Sequence, residues 1–177
     1  MKKISVLLLT FCLVFLCACG KNSPSAALKA DLEDAKSDSE AIMNDIGQAG
    51  FGEEATDELI NKMLEFEYKL GEEKVGEKKA TVETTITTYP FGDILKNAVD
   101  SFTKEAFENP GSMNEKEASE LLGKLITEEL NSAKKSYAKT VTVTLSKEDK
   151  QWVVNESREF TNALTGGLLV FSNALVE

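Results

Sequence analysis

Residues 81–89 read TVETTITTY, and residues 137–145 read YAKTVTVTL. Both are rich in β-branched residues, which suit a pleated and half-buried surface. Both alternate: Val82 and Ile86 share one side of the first, and Val141, Val143 and Leu145 share one side of the second. That period of two predicts strands with one buried and one wet face.

Each strand has a partner close by. Upstream, Phe66, Tyr68 and Leu70 alternate with Glu67 and Lys69, and the polar Gly76 to Lys79 supplies a turn. Downstream, Lys147-Glu148-Asp149-Lys150 separates the second strand from a short return strand, Gln151 to Asn155. The pattern predicts two antiparallel hairpins.

Helical spacing fills the remainder. Leu28, Leu32, Ala35, Ile42, Met43 and Ile46 space a helix from Ala26 to about Ile46, ended by the glycines after it. Glu53 to Leu64 is a second helix, with Glu53 and Glu54 where negative charge suits the helix dipole. Pro90 ends a strand and suits the start of a helix. Behind it Phe91, Ile94, Leu95, Ala98, Val99 and Phe102 form a stripe, broken by Asn109-Pro110-Gly111. Asn114 with Glu117 three residues on has the form of a capping box. Leu121, Leu122, Leu125, Ile126 and Leu130 are the expected buried face of that helix. Arg158 to Thr165 is a last helix closed by Gly166-Gly167, and the apolar tail Leu168 to Val176 is expected to extend it. The order is ααββααββα. Hairpins with segregated helices argue an α+β fold, a curved four-stranded antiparallel sheet packed on helices.

The N-terminus has its own logic. Lys2 and Lys3 precede an apolar run from Ile4 to Leu16. That run is shorter than the roughly 20 residues of a spanning helix and has the length of a signal-peptide core. It ends in Leu16-Cys17-Ala18-Cys19, which resembles the lipobox of bacterial prolipoproteins. The resemblance implies cleavage between Ala18 and Cys19, with a diacylglyceryl group on the Cys19 thiol. Cys17 is a tolerated departure. Two acyl chains anchor stably where one binds reversibly. The expected organisation is a removed signal peptide over 1–18, a lipidated tether over 19–25, and a single domain over 26–177. The expected location is the extracytoplasmic face of the cell membrane, held by the lipid on Cys19.

Composition excludes several functions. The full chain has formal charge −10, and loss of the leader leaves 18 basic residues against 30 acidic ones, or −12. Such a chain will not hold nucleic acid by neutralising phosphates, and anionic headgroups should repel it overall. No histidine is present, and all three cysteines lie in the leader or at the lipid site. That removes thiol nucleophiles, disulfides, histidine-ligated metals and the usual general base near neutral pH. No cofactor and no metal are expected, and the chain is read as a non-enzyme.

The stretches KATVETTITTYPFGDILKNAV (79–99) and KTVTVTLSKEDKQWVVNESREFTNALTGGL (139–168) resemble a group of lipoproteins of low-GC Gram-positive bacteria. These are domain-of-unknown-function proteins with a cystatin-like, or nuclear-transport-factor-2-like, fold. The likeness runs from near Leu59 to Leu168. Its most specific block is Trp152-Val153-Val154 with Phe160 and Ala163-Leu164-Thr165-Gly166-Gly167. Pro90 departs from it, standing where a polar helix cap is expected. The likeness implies fold and location, and brings no catalytic residue.

Candidate sites are few. Trp152, the only tryptophan, is either a packing residue or a wall of a ligand pocket on the concave face of the sheet, with Tyr137 and Tyr89. The acidic run Asp31 to Glu40 lacks the spacing and glycine of a calcium loop and reads as a solvated face. Gly47, Gly50 and Gly52 lack the strand and the Lys-Ser/Thr of a phosphate loop. Three functions follow: a tethered binding module for a small ligand or an envelope partner; a structural or interaction lipoprotein docking through an apolar patch, with Leu168 to Val176 the candidate; and a histidine-free isomerase built on a tyrosine and a buried acid.

Overall fold

The computed structural model describes residues 22–40, 43, 51–108 and 113–170. The leader, the cleavage point and Cys19 lie outside the described residues. So do most of the 41–50 segment, the Asn109-Pro110-Gly111 break and the tail beyond Val170.

The fold is α+β. Four strands, β1 (Glu67–Val75), β2 (Lys79–Thr88), β3 (Tyr137–Glu148) and β4 (Gln151–Asn155), form one antiparallel sheet in the order β1-β2-β3-β4. The described helices are α1 (Pro24–Ala35), α2 (Glu53–Leu64), α3 (Phe91–Glu108), α4 (Glu115–Ser132) and α5 (Arg158–Leu164). Among the described residues no helix is long and apolar enough to cross a membrane.

The alternation seen in the sequence sorts the sheet into two faces. On one, Val82 and Ile86 of β2 lie beside Val141, Val143 and Leu145 of β3, all buried. Leu28 and Leu32 from α1, and Phe160 and Ala163 from α5, seat on them. Fully burying each leucine contributes about 1.5–3 kcal/mol. The other face is polar, with Thr85, Thr87, Thr140 and Thr142 half-buried or exposed. Thr85 and Thr140 share a hydroxyl–hydroxyl hydrogen bond of 2.9 Å there.

A second core lies among the helices. Leu59 and Met63 of α2, Ile94 and Ala98 of α3, and Ile126 and Leu130 of α4 pack together with Tyr89 and Phe91. The chain enters or leaves the sheet toward these helices at the start of β1, the end of β2 and the start of β3. All three points are at one end of the antiparallel meander, so the helical unit caps that end. Both hairpin turns lie at the opposite end, where the Lys147 N–H bonds the Lys78 carbonyl at 2.9 Å.

Several expectations are corrected. The first helix begins at Pro24, because the Ser23 side chain accepts from the Ala26 N–H and Pro24 occupies a first-turn position. Residues 24 and 25, expected in the stretch before the domain, therefore belong to this helix. That helix ends at Ala35, where the Ser37 N–H and hydroxyl both bond the Asp34 carbonyl; residues 39, 40 and 43 are helical again, and the remainder of the stretch to Ile46 lies outside the described residues. On α4 the buried residues are Gly123, Ile126 and Leu130, while Leu121, Leu122 and Leu125 are half-buried. β3 continues to Glu148, so the second turn is only Asp149-Lys150. α5 is not extended through the tail as one helix. Gly166 (φ 55°) and Gly167 (φ 87°) reverse the chain, helix resumes at 168–170, and the tail beyond lies outside the described residues.

The capping box is present as expected. Asn114 accepts from the Glu117 N–H at 3.0 Å, and the Asn114 N–H donates to the Glu117 carboxylate at 2.9 Å. One feature of β1 was not foreseen. Leu70 pairs with Thr84 and Glu73 with Val82, so Gly71 and Glu72 together face the single residue Glu83. This bulge shifts the alternation by one and turns Glu73, in place of Glu72, toward α1.

Candidate functional site

Helix α5 ends in a left-handed reversal. Gly166 takes φ 55°, and the Gly167 N–H reaches back to the Asn162 carbonyl at 2.9 Å. This is the glycine-dependent closure of a helix C-terminus. The reversal lies against the start of α3, where the Gly92 N–H donates to the Gly166 carbonyl at 3.1 Å. A Cβ on Gly92 would stand 2.8 Å from the Gly167 carbonyl oxygen, and one on Gly166 would stand 2.0 Å from that of Tyr89. Glycine at both positions is what lets the two segments meet.

A cleft of about 370 Å³ opens beside this junction, lined by Gly92, Asp93, Lys96, Tyr137 and Asn162, with Gly166, Gly167 and Val170. That size falls within the range of small-molecule sites. Tyr137 forms a wall from the first position of β3, and burial pushes its phenol above the ordinary value. Asn162 holds the cleft together: its amide NH₂ faces the Tyr137 oxygen at 3.4 Å, and its carbonyl oxygen accepts from the Val170 N–H at 3.2 Å. Lys96 bonds Asp100 at 2.5 Å, one turn along the same helix, and this partner raises its pKa. Asp93 supplies an exposed carboxylate in the first turn of α3. The cleft thus offers a carboxylate, an ammonium, an amide and a phenol around a floor of glycine backbone.

The three aromatic residues expected to share one pocket stand apart. Tyr137 is opposite Thr88, at the helical end of the sheet. Trp152 is opposite Lys147, near the hairpin turns. The ten residue steps of β3 from Tyr137 to Lys147 span about 33 Å. Trp152 is half-buried against the sheet-side core, with the Lys147 ammonium 5.3 Å from its ring centre. Tyr89 turns into the helical core, its ring 5.9 Å from Phe91, and its hydroxyl donates to Glu65 at 3.0 Å. Burial first, and then Glu65, raise its pKa. Lys62 lies 4.8 Å over that ring, and Lys135 joins Glu67 at 3.0 Å beside it. Tyr89 therefore ties α2 to the start of the sheet. The apolar sheet face on which a shared pocket was expected is filled by α1 and α5.

Sequence reading missed Asn162, Gly92, Asp93 and Lys96 as neighbours of Tyr137. The available signal was Gly166-Gly167, read as a helix stop, which is also the cleft floor. Among the described residues no cluster of three or more possible metal ligands is found. Asp31, Glu33 and Asp34 of the acidic run lie on α1, where Asp31 is raised by partial burial, then by Glu156 and Asp34.

No protein-family model matches the chain, and no curated protein matches it. A solved structure of a Bacillus subtilis chain described as a "putative lipoprotein (ycdA)" is similar at 17% identity and TM-score 0.45. The match covers 73% of this chain and 44% of that one, so the present chain spans less than half the length of the Bacillus protein.

Proposed function

We propose that this protein is an extracytoplasmic lipoprotein, held on the membrane through Cys19, whose domain is a binding module working through the Tyr137–Asn162 cleft. The anchor reading rests on Leu16-Cys17-Ala18-Cys19 behind a short apolar run. The four-stranded meander with a helix laid along one face supports placing the domain with cystatin-like or nuclear-transport-factor-2-like folds. The binding reading is carried by one observation: the sheet's apolar face is occupied by its own helices, while the cleft beside Gly166-Gly167 is open, mostly apolar in its lining, and edged by the polar groups of Asp93, Lys96, Tyr137 and Asn162.

The ligand that fits is small and polar, with both donors and acceptors, such as an amino acid, a short peptide or a sugar. Carboxylate and ammonium on neighbouring turns of α3 favour a zwitterion over a simple anion or cation. The exposed Val170 at the rim, 65% accessible, favours a second reading in which an envelope protein docks there. Leu168 of the same segment packs on the helical core. An isomerase reading needs a tyrosine beside an acid of raised pKa. Asp31 is the one carboxylate so raised among the described residues, by burial first and then by Glu156 and Asp34, with no tyrosine among the causes.

The test is thermal shift of residues 20–177 against amino acids, dipeptides and simple sugars, for wild type and Asn162→Ala. A wild-type shift that the variant loses supports the cleft. A shift unchanged by the variant, or none with any probe, removes the small-ligand reading. Mass analysis of the N-terminal peptide, with Cys19→Ser as control, tests the anchor.

A further inference from the structure

The direction of α1 says which end of the domain meets the membrane. Two contacts fix that direction. At its first turn, the Ser25 N–H and hydroxyl both donate to Glu73, toward the hairpin-turn end of β1. Two turns later, Glu33 accepts from the Tyr68 hydroxyl, toward the helical end of β1. Beyond it, the Lys36 ammonium sits 4.9 Å from the Tyr68 ring centre and 5.4 Å from that of Phe66. Helix α1 therefore runs antiparallel to β1, and its N-terminus emerges beside the hairpin turns.

Cys19 precedes Pro24 by five residues. Fully extended, those residues reach about 18 Å. The domain is roughly twice that length along β3 alone, from Tyr137 to Lys147. A lipid on Cys19 cannot bring the helical end to the bilayer without lifting the turn end far from it.

Charge is divided along the same axis. Helices α2, α3 and α4 carry thirteen acidic residues against five lysines. The two turn regions, 72–79 and 147–150, hold five lysines (Lys74, Lys78, Lys79, Lys147, Lys150) against five carboxylates. The lysines are exposed, and Val75 between them is 57% accessible. Half-buried Trp152 lies just behind. Lysine and tryptophan suit a membrane–water interface. An acidic body is repelled by anionic headgroups, and repulsion falls off within a Debye length, about 8 Å at physiological salt.

We propose that the hairpin-turn end of the sheet rests on the bilayer, with its lysines among anionic headgroups, and that the acidic helical unit and the Tyr137 cleft point away. This rests on the lipid-anchor reading and adds an orientation to it. The cleft is then presented to the extracytoplasmic space at the far end of the sheet, where a soluble ligand or partner reaches it without crossing the headgroup layer.

The experiment uses full-length protein processed and acylated in cells, then reconstituted in vesicles of phosphatidylglycerol and phosphatidylcholine. Single cysteines, Glu77→Cys at the first turn and Lys116→Cys at the start of α4, carry a fluorophore. A headgroup-attached nitroxide is the quencher. Quenching several-fold stronger at position 77 than at 116 is expected. Equal quenching, or stronger quenching at 116, on protein that floats with vesicles and bears the acyl mass on Cys19 overturns the orientation alone. Protein that neither floats nor bears that mass overturns the anchor reading beneath it.

Discussion

Ser25 and Glu73 are 48 residues apart in the chain and joined at the first turn of α1, where the Ser25 N–H donates to the Glu73 carboxylate at 2.8 Å and its hydroxyl donates to the same oxygen. A carboxylate at a helix N-terminus satisfies an orphan N–H and suits the dipole. Glu73→Ala is expected to destabilise the mature chain by about 1.5–3 kcal/mol, the scale of hydrogen bonds to a charged group. Ser25→Ala, which keeps the N–H bond, should cost less. Urea denaturation of both variants measures this, and equal costs would mean that the backbone bond contributes little.

Gly166 has φ 55°, and a Cβ there would stand 2.0 Å from the Tyr89 carbonyl oxygen. Gly166→Ala combines a left-handed residue with overpacking, and a loss of about 2–4 kcal/mol is expected. In a domain of this size that lowers Tm by several degrees. The same variant should abolish any ligand shift assigned to the cleft, since α3 and the 166–167 turn can no longer meet. A melt unchanged from wild type would contradict the close approach.

The Thr88 hydroxyl is fully buried and has no hydrogen-bond partner among the described residues. An unpaired buried hydroxyl is costly, and removing it with nearly the same shape avoids the cost. Thr88→Val is expected to stabilise by about 1 kcal/mol, read as a higher urea midpoint at unchanged slope. Destabilisation would mean that the hydroxyl has a partner such as a bound water.

The Tyr68–Glu33 pair makes stability depend on pH at both extremes. Burial first, and then Glu33, push the Tyr68 phenol up to about 12. The folded state thus prefers the protonated phenol. Its contribution is complete below the ordinary tyrosine value of about 10 and is lost as pH rises toward 12. The Tyr68 hydroxyl, foremost among its neighbours, holds the Glu33 carboxyl below its ordinary value. That contribution is present above the ordinary value and is lost as pH falls through the lowered one. Tyrosinate absorbance followed against pH should show all three tyrosines titrating above the ordinary value, with the component near 12 lost in Tyr68→Phe. The variant should also flatten the alkaline loss of stability.

The two-residue turn of the second hairpin places Asp149 at φ 45° and Lys150 at φ 69°. Positive φ at both central positions is the type I′ geometry, which favours glycine at the second. Lys150→Gly is expected to stabilise by about 0.5–1 kcal/mol in urea unfolding. A loss would place the lysine side chain in a contact worth more than the strain it bears.

The local regularities of this chain were legible in its sequence because they depend on near neighbours. TVETTITT alternates every two residues, so β2 and its buried face follow from sterics and burial alone. Asn114 and Glu117 are one helical turn apart, so their reciprocal cap forms wherever that helix does. The absence of histidine and the confinement of all three cysteines to residues 12–19 are properties of the sequence itself. The features that give the molecule its direction and its cleft were decided by tertiary structure. Glu73 faces α1 only because a bulge at Gly71 shifts the alternation of β1, and nothing in EYKLGEEKV marks which of Glu72 and Glu73 turns inward. Gly92 and Gly167 meet across 75 residues because α3 and α5 pack on opposite sides of the same junction. Trp152, Tyr137 and Tyr89 look alike as strand aromatics, yet they fall at the turn end, the cleft and the helical core. Burial on a strand depends on the residue's own face, whereas a site depends on which distant segments reach it, and that is set only when the whole chain packs.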